Sequence, residues 1–243
     1  VAAMTGTSLW AVDGSAFREI VTQSAIGSAW VVRMAAVAIA LLAALALGRS
    51  PHLARYCLLA SAVLAIATLV WTGHAGATEG RTGSLHRLSD IVHMLAAAIW
   101  IGGIAAFSWL LFQPLAHQSD AQIRIAHRAL EQFSRVGTLA VGLIVLTGII
   151  NSLSLMGLPH PYALFASRYG QLLLIKLALF AAMLMLAGVN RWRLTPALGA
   201  ANGNPVPALR GLRQSLVLET STVLTILAVV AWMGTLEPIM AYG

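Results

Sequence analysis

Three histidines and an aspartate lie within 20 residues of one another: His74, His86, Asp90 and His93. They follow Trp71-Thr-Gly and precede a long apolar run that holds Trp100 and the pair Gly102-Gly103. His86, Asp90 and His93 stand at i, i+4 and i+7, so on a helix they share one face. Imidazole nitrogen suits copper, iron and zinc alike, and a nearby carboxylate moves the preference towards harder divalent ions. Asp90 has a second possible role, orienting a histidine ring by accepting its other N–H. His74, His86, His93 and Asp90 are the candidate metal ligands, and Glu79 reads as a solvated loop charge. A lone histidine is more often an interfacial polar residue than a ligand. The clustering is what sets these apart, because His52, His117, His127 and His160 are scattered.

The surroundings define the class. Hydrophobic residues make up 59% of the 243 and charged residues 9%. Soluble domains carry roughly 25% charge, so most of this chain belongs in lipid. The formal net charge of +7 is spread over loops without aromatic-basic interleaving, which excludes a nucleic-acid surface. Cys57 is the one cysteine, so no disulfide framework, CxxC zinc site or c-type haem attachment can form within the chain.

Six apolar stretches are long enough to span a bilayer, near 28–48, 55–73, 90–112, 134–156, 170–190 and 214–234. No strand-like alternation interrupts them, so the expected fold is all-α, a polytopic helix bundle. Residues 1–27 form an outer segment, in which Asp13–Gln23 suits a short interfacial helix. Residues 195–213, with three prolines and three glycines, read as a cytoplasmic linker loop. Pro114–Arg135 reads as an amphipathic connector, with His117 and His127 solvated. Gly102-Gly103, with Gly142 and Gly148, predicts close backbone approach between the third and fourth spans.

Nine arginines fall in the loops after spans one, three and five, and four on the other side. The positive-inside rule therefore puts both ends of this chain, and the cluster at 74–93, on the outer side of the membrane. The chain also repeats itself. Ser24-x2-Gly27-x5-Arg33-x-Ala35 recurs as Ser167-x2-Gly170-x5-Lys176-x-Ala178. Ala67-x3-Trp71-x-Gly73 recurs as Ala228-x3-Trp232-x-Gly234. Spans one and two then look like a parallel duplicate of spans five and six. The expectation is a fragment of an eight-helix 4+4 protein.

Thr-Gly-His74-Ala-Gly, His86…Asp90-x2-His93, Ala-Ala-Ile-Trp100-Ile-Gly-Gly103, Tyr169-Gly170…Lys176 and Asn190-x-Arg resemble the copper resistance D family of bacterial inner-membrane proteins. The resemblance covers nearly the whole chain and is sharpest over 71–103. It implies copper handling at the inner membrane, copper entry into the cytoplasm, and a small periplasmic copper-binding partner.

Charges inside a bilayer are costly, which singles out Arg33 and Lys176 at matching repeat positions. Both can snorkel outward. Otherwise they call for an anion, and they oppose a bare copper ion by Coulomb repulsion. That favours an alternative, a b-type haem protein with His74 and His93 as axial ligands and Arg33 and Lys176 on the propionates. Glu219 is expected to pair with Arg191, Arg193 or Arg213. A third reading is a non-catalytic subunit that docks a periplasmic copper carrier. No nucleophile-base pair or phosphate loop supports an enzyme or an ATP-driven pump.

Overall fold

The structure is a computed structural model and describes residues 14–73, 80–112, 120–156, 161–200 and 205–236. Every regular element among them is helical. In chain order these are α1 (Gly14–Gln23), α2 (Ala25–Leu45), α3 (Pro51–Ala67) with a 3-10 turn (Thr68–Thr72), α4 (Gly80–Leu111), α5 (Asp120–Met156), α6 (Pro161–Ala166), α7 (Arg168–Val189), a π turn (Asn190–Leu194), α8 (Thr195–Gly199) and α9 (Val206–Met233). Six of the helical stretches are long and apolar enough to cross a membrane, and each overlaps one of the expected spans.

Several of them run longer than the apolar patterns alone indicate. α5 has 37 residues, or about 55 Å at the standard rise, against a hydrocarbon core of about 30 Å. Residues 120–135 of the basic stretch read as a connector are its first 16 residues, continuous with the span. Linker 195–213 is also largely helical, occupied by α8 and the start of α9. Its prolines mislead because Pro196 and Pro207 sit in first turns, where a missing N–H leaves no helical bond unmade.

The chain forms two compact units, Val1–Leu95 and Ala96–Gly243. In the first, α2 and α3 make an antiparallel hairpin. Its interface is built from small residues: Gly27, Ala29, Ala36 and Ala43 on α2, Ala54 and Ser61 on α3. Leu41, Leu42 and Leu45 are 63%, 66% and 79% exposed. Large apolar residues outside and small ones between helices is the pattern that lipid imposes, because tails compete equally for leucine.

In the second unit, Trp100, Ile104, Phe107 and Leu111 of α4 pack with Ala140 and Ile144 of α5, Met183 of α7, and Leu209, Leu212 and Leu216 of α9. Gly103 does not serve a backbone approach as the glycine pattern predicts. The Phe133 ring fills its place, and a Cβ there would collide with ring atoms. Phe133 in turn stands edge-on to Phe107, centroids 5.2 Å apart. Gly102 and Gly142 have open space around them.

One local device appears in both units. Ser24 breaks the chain between α1 and α2 in extended conformation, and its hydroxyl accepts from Gly27 N–H at 2.9 Å. Ser167 does the same between α6 and α7, accepting from Gly170 N–H at 3.0 Å. These are serine N-caps, each satisfying an orphan donor of the first turn.

Candidate functional site

α4 carries the polar residues on the face it buries. His86 is 2% exposed and Ser89 4%, Gly83 is buried, and Asp90 and His93 are half-buried. From Ala96 onward the same three- and four-residue rhythm continues with Trp100, Ile104, Phe107 and Leu111, all buried. The helix thus changes from a polar to an apolar buried face at about residue 95. Polar groups withdrawn from water need partners, and His86, Ser89, Asp90 and His93 are each engaged in a polar, ring or electrostatic contact.

Of the described candidates, His86 is the most enclosed. His74 and Glu79 lie outside the described residues, as do His117 and His160. Among the described residues no three His, Cys, Asp or Glu side chains are grouped so as to hold a metal ion. A single helix presents ligands at i and i+4 as a pair. The described part of the cluster is therefore a row of donors along a helix, with no closed cage among these residues.

Arg33 finds a use that the sequence does not reveal. Its Nη2 donates to the Thr68 carbonyl at 2.9 Å and its Nε to the Thr68 hydroxyl at 3.1 Å. Thr68 is where α3 tightens into the 3-10 turn. The guanidinium is held across the hairpin by Thr68, so its burial is explained without a haem propionate. Lys176 is half-buried on α7 and is also engaged.

The expected ion pair of Glu219 is replaced by neutral partners. Glu219 is 4% exposed. The Asn190 amide N–H donates to its Oε1, and the Ser215 hydroxyl lies 3.5 Å away. Arg191 instead bonds the Thr138 hydroxyl and the Ser134 carbonyl. Arg213 Nε donates to the Leu111 carbonyl at 2.7 Å, with its guanidinium over the Phe112 ring. Sequence reading missed Asn190 as the partner, although an asparagine closing an apolar span is a usable signal. His127 is not solvated: it is half-buried, lies 3.7 Å from Glu131, and fills the space beside Gly199.

Six membrane-length helices and a buried row of imidazole, hydroxyl and carboxylate groups on one of them define a polytopic membrane protein with polar groups inside its helical part. Comparison with known proteins gives the family. The family described as Copper resistance protein D matches residues 127–233, and the Copper resistance protein D-like N-terminal domain matches residues 1–84. The chain is 36% identical over 243 aligned residues to Copper resistance protein D of Pseudomonas syringae pv. tomato, covering 99% of this chain and 78% of that one. It is 29% identical over 224 residues to Inner membrane protein YebZ of Escherichia coli (strain K12), covering 90% and 71%. It is 31% identical over 186 residues to Copper transport protein CutJ of Bacillus subtilis (strain 168), covering 73% of this chain and 33% of that protein. No solved structure matches the chain. The chain belongs to the copper resistance protein D family. His86, Asp90 and His93 fall between the two matched regions.

Proposed function

We propose that this chain carries copper across the bacterial inner membrane, taking the ion at the histidine-bearing end of α4. The observation that carries the reading is the polar row on membrane-length α4, with His86 and Ser89 buried and Asp90 and His93 half-buried. Family membership supplies the cargo, because relatives bear the names copper resistance and copper transport protein. Copper is substrate here. Imidazole binds it in either oxidation state, and Asp90 holds a ring in register or lends a carboxylate oxygen. His74, twelve residues before His86 in the sequence, is a further candidate donor. A row that offers donors in pairs holds the ion loosely enough to pass it on.

The arginine asymmetry of the loops puts this end in the periplasm. A small periplasmic copper-binding protein delivers the ion, and its concentration gradient drives entry. The test is copper accumulation in cells expressing the chain, with an absorption spectrum of the purified protein. Wild type accumulates copper, and the His86→Ala/His93→Ala double variant, present in the membrane at equal level, does not. Equal accumulation by both sinks the histidine route. A near-stoichiometric Soret band replaces copper with haem as the ligand of the cluster.

A further inference from the structure

The buried acid of α9 has no place in the copper route, and its surroundings are unusual. Glu219 lies 13 residues into α9, roughly 20 Å from the helix start. Its neighbours on the buried face are Leu212, Ser215, Leu216 and Val223. A full negative charge among such residues is expensive unless a cation meets it. Among the described residues its polar partners are Asn190 and Ser215, both neutral.

Ionisable groups on every element packed around it are otherwise directed. On the π turn, Arg191 is exposed and bonded to α5, and Arg193 is exposed. On α9 itself, Arg210 is exposed and Arg213 donates to Leu111. α8 has no ionisable side chain, and neither does α4 beyond Ala96. On α5, His127 faces Glu131, and Arg124, Arg128 and Arg135 are exposed. On α7, Lys176 stands 14 residues from Asn190, about 21 Å along the helix, and Arg168 and Tyr169 lie farther still.

Asn190 is the informative partner. An amide presents a donor on one arm and an acceptor on the other. Its N–H arm is on Glu219, while its Oδ1 is buried without a partner. A lysine or arginine in that place would accept only the charged acid as its match. An amide matches both forms: N–H to a carboxylate, and, after a half-turn, Oδ1 to a protonated carboxyl. Asn190 also opens the π turn, where Thr195 N–H donates to its carbonyl across five residues. Such turns are irregular points where a helix can change register, and they recur at functional sites.

We infer that Glu219 and Asn190 form a proton-binding site inside the helical part of the second unit, a latch between α9 and the π turn that takes up and releases one proton. The balance is simple. One proton from water adds to the Glu219 carboxylate, the Asn190 amide turns from donor to acceptor, and no other bond forms or breaks. Release returns both groups and gives the proton back to water. The ligand is the proton, whatever the cargo of the His86–His93 row, so the site stands or falls apart from the copper reading.

The experiment uses the metal-free full chain in lipid nanodiscs. Infrared difference spectra are taken between acidic and alkaline buffer, on unlabelled protein and on protein carrying ¹³C-glutamate. The expected result is a protonated-carboxyl band of the kind seen in apolar surroundings. It gains and loses intensity with pH, shifts with the glutamate label, and disappears in Glu219→Gln. In Glu219→Asp the band persists but no longer answers to the label. Asn190→Leu raises its midpoint by about one pH unit, the amount by which a hydrogen bond to the carboxylate outweighs one to the neutral carboxyl. If Glu219→Gln does not fold, Glu219→Asp carries the assignment, because the chain has four other glutamates that take the label. No label-sensitive band at any pH, or one that is constant from acid to alkaline pH, overturns the proposal. A band that survives Glu219→Gln, or that answers to sodium at fixed pH, overturns it too.

Discussion

Arg33 and Thr68 are 35 residues apart, and the guanidinium of the first closes on both the carbonyl and the hydroxyl of the second. The carbonyl lies where α3 gives way to a 3-10 turn. Thr68 also donates its own hydroxyl to the Ala65 carbonyl at 2.7 Å. One buried cation thus organises the end of the α2–α3 hairpin that leads towards the histidine cluster in sequence.

Arg33→Met keeps much of the side-chain volume and removes both bonds. The expected cost is about 1–3 kcal/mol in a reversible detergent unfolding titration. Thr68→Val costs less, because a backbone carbonyl remains for the guanidinium. The double variant is less destabilised than the sum of the singles, since each breaks the same contact. Strict additivity would show that the two residues do not depend on each other.

Gly103→Ala sets a methyl against the Phe133 ring, in collision with its atoms. Overpacking of this kind costs about 1–3 kcal/mol. Phe133→Leu, itself mildly destabilising, relieves part of that loss when combined with Gly103→Ala. The reading is a thermal midpoint in detergent for all four proteins. A Gly103→Ala protein as stable as wild type would mean that the ring moves aside freely.

The spans were legible because hydropathy over some 20 residues is a strong signal, and lipid imposes it on every helix. Their polar extensions were not. Arg124 to Arg135 looks like a loop to a hydropathy window, yet its residues are good helix formers and simply continue α5 beyond the membrane. Pro196 and Pro207 look like breakers until their place in a first turn is known. At the site, helical spacing correctly put His86, Asp90 and His93 on one helix. Which of them is most enclosed was not legible, because burial of His86 depends on tertiary packing. Arg33 and Glu219 were noticed as costly charges. Thr68 and Asn190, their partners 35 and 29 residues away, follow no local pattern.

Ser24→Ala and Ser167→Ala each remove one cap oxygen from an equivalent first turn. Each is expected to cost about 1 kcal/mol, and the two losses should add, since the caps belong to different compact units. Asp at either position restores most of the loss, as its carboxylate accepts the same N–H. Chemical denaturation of the four proteins checks this. A marked difference between the two costs would show that the shared motif hides different surroundings.

His86 and His93 separate packing from copper handling. His86 is 2% exposed and His93 half-buried, so truncating His86 strands partners away from water and truncating His93 does so less. His86→Ala is expected to lose about 1–3 kcal/mol of stability as well as copper. His93→Ala loses copper with a smaller change in thermal midpoint. Copper per chain by metal analysis, measured beside the midpoint on the same samples, distinguishes the two effects. If His93→Ala retains full copper while His86→Ala loses it only in proportion to unfolded protein, the polar row of α4 is a packing feature, and the ion is taken elsewhere.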